Sequence, residues 1–271
     1  MSTQPPSHIK PPPAGAPFDA AASAYDDAFT HARMARELRG RVWARLDAVF
    51  APGRPVLELG CGTGEDARHL AARGVPVVAT DQSAAMLRLA AAKAAGLPVI
   101  TAPLDLRALA PEPTVLSHAP YAGVFSNFGA VNALASFAPL AAWLAPLVMP
   151  GARVVVVVMG RWCAWEIGWH LLRCQPRTAF RRVQRGGAVA HVGGVPMTVH
   201  YPSTGALRRA FAPHFRLERV WPLGLLLPPS YLEPLTRRAW FPWRLLAALD
   251  RRLPWPLWAD HTVYEWVRPG A

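Results

Sequence analysis

The stretch that decides the fold is residues 56–64, which read Val56-Leu57-Glu58-Leu59-Gly60-Cys61-Gly62-Thr63-Gly64. Its first four residues carry three apolar side chains and predict a short buried strand, and its three glycines predict a tight turn. Glycine tolerates positive φ and lets a ligand approach the backbone closely. Because a helical pattern begins at Glu65, the turn also points a helix N-terminus at that ligand. The stretch therefore predicts a ligand site at the end of a strand.

The spacing of these glycines narrows the class of ligand. They follow the pattern G-x-G-x-G, whereas a dinucleotide-binding turn has G-x-G-x-x-G. The first turn of the following helix contains Glu65 and Asp66, whose negative charges would repel a pyrophosphate. An NAD-type oxidoreductase remains an alternative, but the turn favours a ligand without phosphate at the helix terminus.

Apolar strands and helical segments alternate on both sides of the turn. Further strands are predicted at Val75 to Thr80, Pro98 to Thr101, Tyr121 to Ser126 and Arg153 to Met159, with helices between them. Such alternation predicts a parallel sheet with right-handed crossovers. Before the turn, residues 19–50 show helical periodicity and predict a long helix.

Taken together, these segments resemble class I S-adenosylmethionine-dependent methyltransferases. The glycine turn matches the first motif of that family, E/D-x-G-x-G-x-G, and the segment Asp81-Gln82-Ser83-Ala84-Ala85-Met86-Leu87 resembles its D-x-S-x-x-M-L. Leu104-Asp105-Leu106 lies where the family has its adenine-contacting acid. Tyr121 to Gly129 resembles the fourth-strand motif. The resemblance covers residues 20–160 well and implies a Rossmann-like α/β fold, whose seven-stranded, mainly parallel sheet has its last strand reversed.

The resemblance also implies the cofactor, S-adenosylmethionine, and the residues that bind it. Asp81 is expected to hold the ribose hydroxyls, Glu58 the ammonium group and Asp105 the adenine amino group. The full set of expected cofactor-binding residues is Glu58, Gly60, Cys61, Gly62, Gly64, Asp81, Gln82, Met86, Asp105, Leu106, Ser126 and Asn127. Each also has a structural interpretation; Asp81 could cap a helix, Met86 could be a core residue and Cys61 could be a small spacer.

No catalytic dyad stands out, and methyl transfer from a sulfonium does not require one. The candidates for a general base are Tyr25 and His31 on the N-terminal helix and His200 at the end of a hairpin strand. Cys163 and Glu166, one helical turn apart, are candidates for lining the acceptor pocket. No paired Cys/His ligand spacing is present, so no metal site is expected.

Composition sets the remainder of the chain apart from this core. The 271 residues combine 52% hydrophobic residues with a net charge of +12. Residues 161–187 and 224–259 together carry eight of these net charges and seven of the 11 Trp. Trp beside Arg is typical of surfaces that contact membrane interfaces, although the Trp could equally form a small core of their own. Nucleic acid is a less favoured partner, since long Lys/Arg runs are absent.

The expected organisation is a Pro-rich disordered tail at 1–17, a cofactor-binding core at 18–160 and a C-terminal region at 161–271. This last region contains two cap insertions, 161–202 and 224–259, and the remaining core strands. Residues 128–151 contain no charge, yet their prolines favour a buried helix over a membrane span. Three cysteines in a chain of this length, and no secretion signal, indicate a reducing and therefore cytoplasmic location.

The sequence thus predicts an enzyme that methylates a small-molecule acceptor, which could be apolar or lipid-like. The alternatives are a peripheral membrane protein that binds the cofactor without turnover and the NAD-type oxidoreductase. Contact with an anionic membrane surface is compatible with either methyl transfer or simple binding. The pattern does not identify the acceptor or the oligomeric state.

Overall fold

The computed structural model describes residues 16–110, 112–236 and 242–270. Most of the predicted Pro-rich tail therefore lies outside the described residues, as do Arg237, Arg238 and Trp240 of the second insertion. Ala16 and Pro17, assigned to the tail by the sequence, instead begin a helix.

The described residues contain nine strands, which form two sheets. The strands are β1 (Val56–Leu59), β2 (Val77–Asp81), β3 (Val99–Pro103), β4 (Tyr121–Ser126), β5 (Val148–Met159), β6 (Ala188–Val192), β7 (Val195–Val199), β8 (Arg216–Leu223) and β9 (His261–Val267). Seven of them form one sheet in the order β3-β2-β1-β4-β5-β9-β8, and β6 and β7 form a separate hairpin. Within the large sheet, as far as the structure describes it, β9 runs opposite to the other six strands. This confirms the predicted mainly parallel sheet with a reversed last strand.

Helices cover the large sheet. They are α1 (Ala16–Tyr25), α2 (Arg33–Val49), α3 (Glu65–Ala71), α4 (Ala84–Lys93), α5 (Pro113–Ser117), α6 (Ala138–Leu144), α7 (Ala164–Leu172), α8 (Pro176–Ala179), α9 (Thr204–Phe211), α10 (Glu233–Thr236) and α11 (Trp243–Asp250). In the described parts of the chain, no helix has both the length and the hydropathy that crossing a membrane requires.

The core lies on both faces of the large sheet, as alternation along β5 shows. Val154, Val156 and Val158 belong to one buried cluster, which packs against α6 and α9. Val155 and Val157 belong to the other, which packs against α2 and α3. Because neighbouring side chains on a strand point to opposite faces, a run of five valines requires a strand that is buried on both sides.

The predicted long helix of residues 19–50 is wrong in its continuity. The chain leaves the α-helical path in a π-helical turn at Asp26–Thr30, and α2 starts afresh at Arg33. Asp26 accepts hydrogen bonds from the Thr63 hydroxyl at 2.6 Å and from Lys93 Nζ at 2.8 Å. These tertiary hydrogen bonds explain why the helix is interrupted at a place where the sequence has no glycine or proline.

The uncharged run of residues 128–151 is less helical than predicted. It contains a 3-10 turn at Ala130–Ala133, the seven-residue α6 and a second 3-10 turn, and it ends in the first residues of β5. Gly193 and Gly194 form the turn between β6 and β7, which pair as a hairpin.

Candidate active site

A cavity of about 260 Å³ lies at the carboxyl ends of the parallel strands. Its floor is built from the segments that follow β1, β2, β3 and β4, where open α/β sheets place their ligands. Helix α1 packs against α4 and the hairpin, and all of them border this space. The cavity is therefore enclosed between the sheet edge and two covering elements.

The three glycines of the turn have different roles. Gly60, Gly62 and Gly64 all have positive φ, at 71°, 53° and 78°. A Cβ on Gly60 would come within 2.2 Å of Ala130 Cβ, and one on Gly64 within 2.7 Å of Ala90 Cβ. A Cβ on Gly62 would meet nothing within 4 Å, and Gly62 lines the cavity. Gly60 and Gly64 thus permit close packing, whereas Gly62 leaves space for a ligand.

Asp81, at the end of β2, presents both carboxylate oxygens at the cavity wall. Oδ2 accepts a hydrogen bond from the Gly62 amide and Oδ1 one from the Ser83 amide, each at 2.9 Å. Burial raises the pKa of this carboxyl. Among the described residues it forms no ion pair, so its charge is available to a ligand. Ser83 caps α4 by accepting a hydrogen bond from the Met86 amide.

At one end of the cavity, the side chain of Arg107 joins two predicted cofactor residues. Its guanidinium donates to both oxygens of Asp105, at 2.9 and 2.8 Å, and to Gln82 Oε1 at 2.9 Å. The hydrogen bond from Arg107 lowers the pKa of Asp105. Met86 and Leu106 line the same end. Sequence reasoning missed Arg107, although it stands only two residues after Asp105.

Glu58 was expected to orient the ammonium group of the cofactor, directly or through water, and it does not line the cavity. It is 1% exposed beneath the glycine turn, and its Oε2 has no hydrogen-bond partner among the described residues. Burial and the nearby negative charge of Asp66 raise its pKa well above the usual range. A contact of Glu58 with the ammonium group stays a prediction.

Two further predicted residues also lie behind the wall. Gly64 packs on α4, and the Ser126 hydroxyl donates to the Leu59 carbonyl at 2.8 Å, which ties β4 to β1. Cys61 does line the cavity, and burial raises its pKa well above the ordinary value, so it stays a thiol. This fits its interpretation as a spacer rather than a nucleophile.

A buried ion pair borders the middle of the cavity. Arg39, on α2, lies 2.9 Å from Asp66 Oδ2, and both residues line the wall. Asn127 donates to the same carboxylate at 3.1 Å, and the Trp43 indole donates to its other oxygen at 2.6 Å. The Nε of Arg39 has no partner among the described residues. No motif indicated Arg39, which the fold of α2 alone brings to the site.

Only one of the three candidate bases reaches the cavity. Tyr25 lines it, and burial raises the pKa of its hydroxyl to about 12. His31 is exposed and contacts Asp27, and His200 binds Asn132 through its backbone without lining the cavity. At neutral pH Tyr25 is therefore protonated, and it can donate a hydrogen bond rather than accept a proton.

The other end of the cavity is largely apolar. Phe128 has a left-handed φ of 46°, a strained conformation for a bulky residue, and it turns the chain beside Gly129. Met159 adds its side chain from the end of β5. The hairpin completes the wall with Ala190, Val192, Met197 and Val199.

The Trp-rich parts of the insertions do not cover this space, contrary to expectation. Cys163 and Glu166 are buried but do not line the cavity. Glu166 accepts from Arg181 at 2.8 and 3.0 Å and from Arg182 at 2.9 Å. The first insertion instead contributes its hairpin to the wall.

The cavity wall has an excess of negative charge. Its acids are Glu65, Asp66, Asp81 and Asp105, and its bases are Arg39 and Arg107. A cationic ligand suits this wall, and a pyrophosphate beside Glu65 and Asp66 does not, which disfavours the NAD-type alternative. Within the described residues, no group of His, Cys, Asp and Glu side chains could hold a metal ion.

Comparisons with known proteins agree with the motifs. Residues 56–146, about a third of the chain, match the family model of the methyltransferase domain. No curated protein sequence matches the chain.

The fold is similar to that of the CcbJ methyltransferase from Streptomyces caelestis, with a TM-score of 0.59 and 18% identity over 94% of this chain and 98% of that one. An S-adenosylmethionine-dependent methyltransferase from Mesorhizobium loti has a TM-score of 0.54 and 19% identity, covering 85% and 100% of the two chains. The cyclase SpnF has a TM-score of 0.61 and 12% identity, covering 96% and 99%. At such identities these similarities show the fold alone.

Fold and site together define a Rossmann-like α/β protein with an acidic cavity at the carboxyl ends of its parallel strands. The family match then specifies the chemistry that the fold leaves open. The match of residues 56–146 to the methyltransferase domain supports methyl transfer with S-adenosylmethionine as the cofactor, the chemistry that the sequence motifs imply.

Proposed function

We propose that the protein transfers the methyl group of S-adenosylmethionine to a small apolar acceptor. The observation that carries this proposal is the wall formed by Met159 and the β6–β7 hairpin. Four hairpin side chains face the cavity, and all four are apolar. Binding sites for small apolar molecules are lined mainly by such side chains, with a few polar groups to fix orientation.

The residues present fit the cofactor. Asp81 would accept hydrogen bonds from two ribose hydroxyls, because a carboxylate has about four acceptor sites and the backbone amides of Gly62 and Ser83 take one on each oxygen. Met86 and Leu106 would pack against the adenine, beside the Asp105–Arg107 pair. The unpartnered Nε of the buried Arg39 would bind the carboxylate of the methionine portion.

When bound, S-adenosylmethionine supplies a methyl group that is activated by attachment to a sulfonium. The contribution of the chain is alignment and the exclusion of water. Helix α1 and the hairpin cover the cavity, and the strained turn at Phe128 fixes its floor. No histidine or carboxylate among the described lining residues belongs to the hairpin end. We therefore propose that the acceptor brings its own nucleophilic atom and that Tyr25 orients it by donating a hydrogen bond.

Cavity size limits the acceptor. Small-molecule sites usually enclose roughly 300–1,000 Å³, and the cavity of about 260 Å³ lies just below that range. Since the cofactor would occupy much of this space, the cavity favours a small acceptor group.

Calorimetric titration with S-adenosylmethionine tests the cofactor assignment. Asp81→Asn removes the charge that faces the ribose, and a hydrogen bond to a charged group is worth about 1.5–3 kcal/mol. We expect affinity to fall about ten- to a hundredfold. Asp27→Asn is the matched control, because that carboxylate is exposed and bonds only to His31 among the described residues. Equal affinity in the wild type and Asp81→Asn would contradict the assignment.

The acceptor is tested with methyl-labelled cofactor and a cell extract. We expect the label to pass into a small molecule that partitions into organic solvent. Label found only in protein or nucleic acid would overturn the apolar acceptor. Cofactor binding with no labelled product would instead favour the predicted alternative of binding without turnover.

A further inference from the structure

The loop between α11 and β9 exposes an unusual amount of apolar surface. We call residues 251–258 the aromatic loop; they read Arg-Arg-Leu-Pro-Trp-Pro-Leu-Trp. Trp255 is 59% exposed, Leu257 54% and Trp258 45%. Contiguous apolar surface of this kind usually marks an interaction site.

The exposed charges within residues 242–258 are all basic, and one of them, Arg251, pairs with Glu37 of α2 at 2.6 Å. Arg251 and Arg252 begin the loop, and Arg244 lies on α11; all three are exposed. The one acid of residues 242–258, Asp250, is buried, where it pairs with Arg41 and accepts from the Leu226 amide at 2.5 Å. The aromatic loop thus combines exposed tryptophan and leucine side chains with positive charge.

The aromatic loop lies at the same sheet edge as the cavity. It leads directly into His261, which pairs with Met159 across β5 and β9. The ring of His261 contacts that of Phe128 at 5.6 Å, and both Met159 and Phe128 line the cavity. One layer of side chains separates the base of the aromatic loop from the candidate acceptor end.

We propose that the aromatic loop docks the protein on an anionic lipid bilayer. Tryptophan favours the membrane interface, where its ring is buried and its N–H stays hydrated, and arginine is attracted to acidic headgroups. Docking would hold the carboxyl edge of the sheet at the bilayer, from which an apolar acceptor could be drawn. The docking itself does not depend on the proposed function.

A bilayer fits this patch better than a protein partner does. A whole aromatic side chain buries roughly 150–250 Å², so three half-exposed side chains offer well under the roughly 800 Å² per partner of a stable protein interface. A bilayer needs only shallow insertion of a few side chains together with attraction between opposite charges.

Vesicle co-sedimentation tests the proposal with the full-length protein. We expect binding to vesicles of phosphatidylcholine and phosphatidylglycerol, weakened by salt, and little binding to phosphatidylcholine alone. The double change Trp255→Ser and Leu257→Ser should lower the partition coefficient about tenfold or more, since each loses most of its apolar contact with lipid. Arg244→Ser with Arg252→Ser should remove the preference for the anionic vesicles.

A matched control uses equally apolar positions at the other end of the sheet. Ile100 on β3 and Leu116 on α5 are 42% and 44% exposed, and changing both to Ser should leave vesicle binding unchanged. Calorimetry with S-adenosylmethionine shows whether each variant keeps its cavity, so failed docking and a failed methyl-transfer proposal can be told apart.

Three results would overturn the docking proposal. The first is wild-type protein that fails to sediment with anionic vesicles. The second is an aromatic-loop variant that binds as well as the wild type or the control. The third is a wild-type dimer, detected by sedimentation velocity, that Trp255→Ser and Leu257→Ser dissociates, because the patch would then join two copies.

Discussion

At the scale of single residues, Gly62 and Gly64 differ in a way that a mutation can reveal. Both have positive φ, where alanine costs roughly 1–2 kcal/mol. Gly62→Ala should lower the free energy of unfolding by no more than this amount. It should nevertheless weaken S-adenosylmethionine binding at least tenfold, because the new methyl group enters the cavity. Gly64→Ala should cost more, because its Cβ would lie 2.8 Å from Ala90 Cα.

Urea denaturation and calorimetry measure these two effects separately. If Gly62→Ala lost as much stability as Gly64→Ala, or bound the cofactor normally, the division of roles within the turn would be wrong.

Glu58 gives a prediction about pH. Burial, reinforced by Asp66, raises its pKa in the folded protein above that in the unfolded chain. Folding thus favours the protonated form, so Glu58 costs stability as pH rises through the unfolded pKa towards the folded one. Glu58→Gln removes that cost. We expect its Tm at pH 8 to exceed that of the wild type by at least about 3 °C, the shift for about 1 kcal/mol in a chain of this size.

Thermal melts of the protein without cofactor, at pH 4 and pH 8, make the comparison. The gain should shrink at pH 4, where Glu58 is protonated in both states. A variant less stable than the wild type at pH 8 would mean that the charged carboxylate is a favourable part of the fold.

Residues that follow a strand directly are the ones that the sequence predicts well. Asp81 and Gly62 are placed by the chain's own strand and turn, so local pattern suffices. Arg39 and Met197 reach the cavity only through packing of α2 and of the hairpin, and no local pattern encodes that packing. Glu58 has the expected motif position, but its side chain lies behind the wall, a placement that the motif alone does not reveal.

At the scale of elements, the hairpin depends on two glycines at its entrance. Gly186 and Gly187 have φ of 85° and 91°. A Cβ on Gly186 would meet nothing within 4 Å, whereas one on Gly187 would lie 2.6 Å from the Val199 carbonyl oxygen. Gly186→Ala should lower the stability of the hairpin by the roughly 1–2 kcal/mol that positive φ alone costs. Gly187→Ala should lower it by more, because its Cβ also clashes with the carbonyl oxygen.

Hydrogen exchange of the β6 and β7 amides measures this difference. We expect faster exchange in Gly187→Ala than in Gly186→Ala, together with slower methyl transfer. Identical exchange in the two variants would show that the backbone shifts to accommodate the new side chain.

The predicted boundaries of an element are wrong where tertiary contacts determine where that element ends. The periodicity of residues 19–50 holds throughout, yet the bonds of Asp26 to Thr63 and Lys93 break the helix. The hairpin, by contrast, carries its own turn glycines and is predictable. Local signals thus fix strands and turns, whereas a long helix remains open to interruption from outside.

At the scale of the whole molecule, a buried ion cluster joins the first insertion to the sheet. Arg182 is 6% exposed and donates to Glu166 at 2.9 Å and to Asp260, just before β9, at 2.6 Å. Removing one partner of such a buried pair typically costs about 3–5 kcal/mol. We expect that loss of unfolding free energy for Arg182→Gln.

Arg216→Gln is the matched control for Arg182→Gln. Arg216 is 69% exposed and pairs with Glu218, and exposed pairs are worth about 0–1 kcal/mol. Equal stability of the two variants in urea would show that the cluster does not hold the insertion to the sheet.

The architecture is more predictable than the placement of its charge. The glycine turn and the strand alternation predict the seven-stranded sheet. The sequence assigned most of the excess of arginine to the two cap insertions. Arg181 and Arg182 of the first insertion instead form ion pairs with the buried carboxylate of Glu166. The pairing of these arginines with a buried acid cannot be inferred from composition.

The position of β9 constrains how the protein is made. β9 lies between β5 and β8, and all seven of its residues are buried. A ribosome must therefore synthesise residues 261–267 before the sheet can close. Until then β5 and β8 expose unpaired edges that can associate with other nascent chains. Shortening the chain ahead of His261 would thus be expected to cause aggregation during synthesis, even with every cavity-lining residue present.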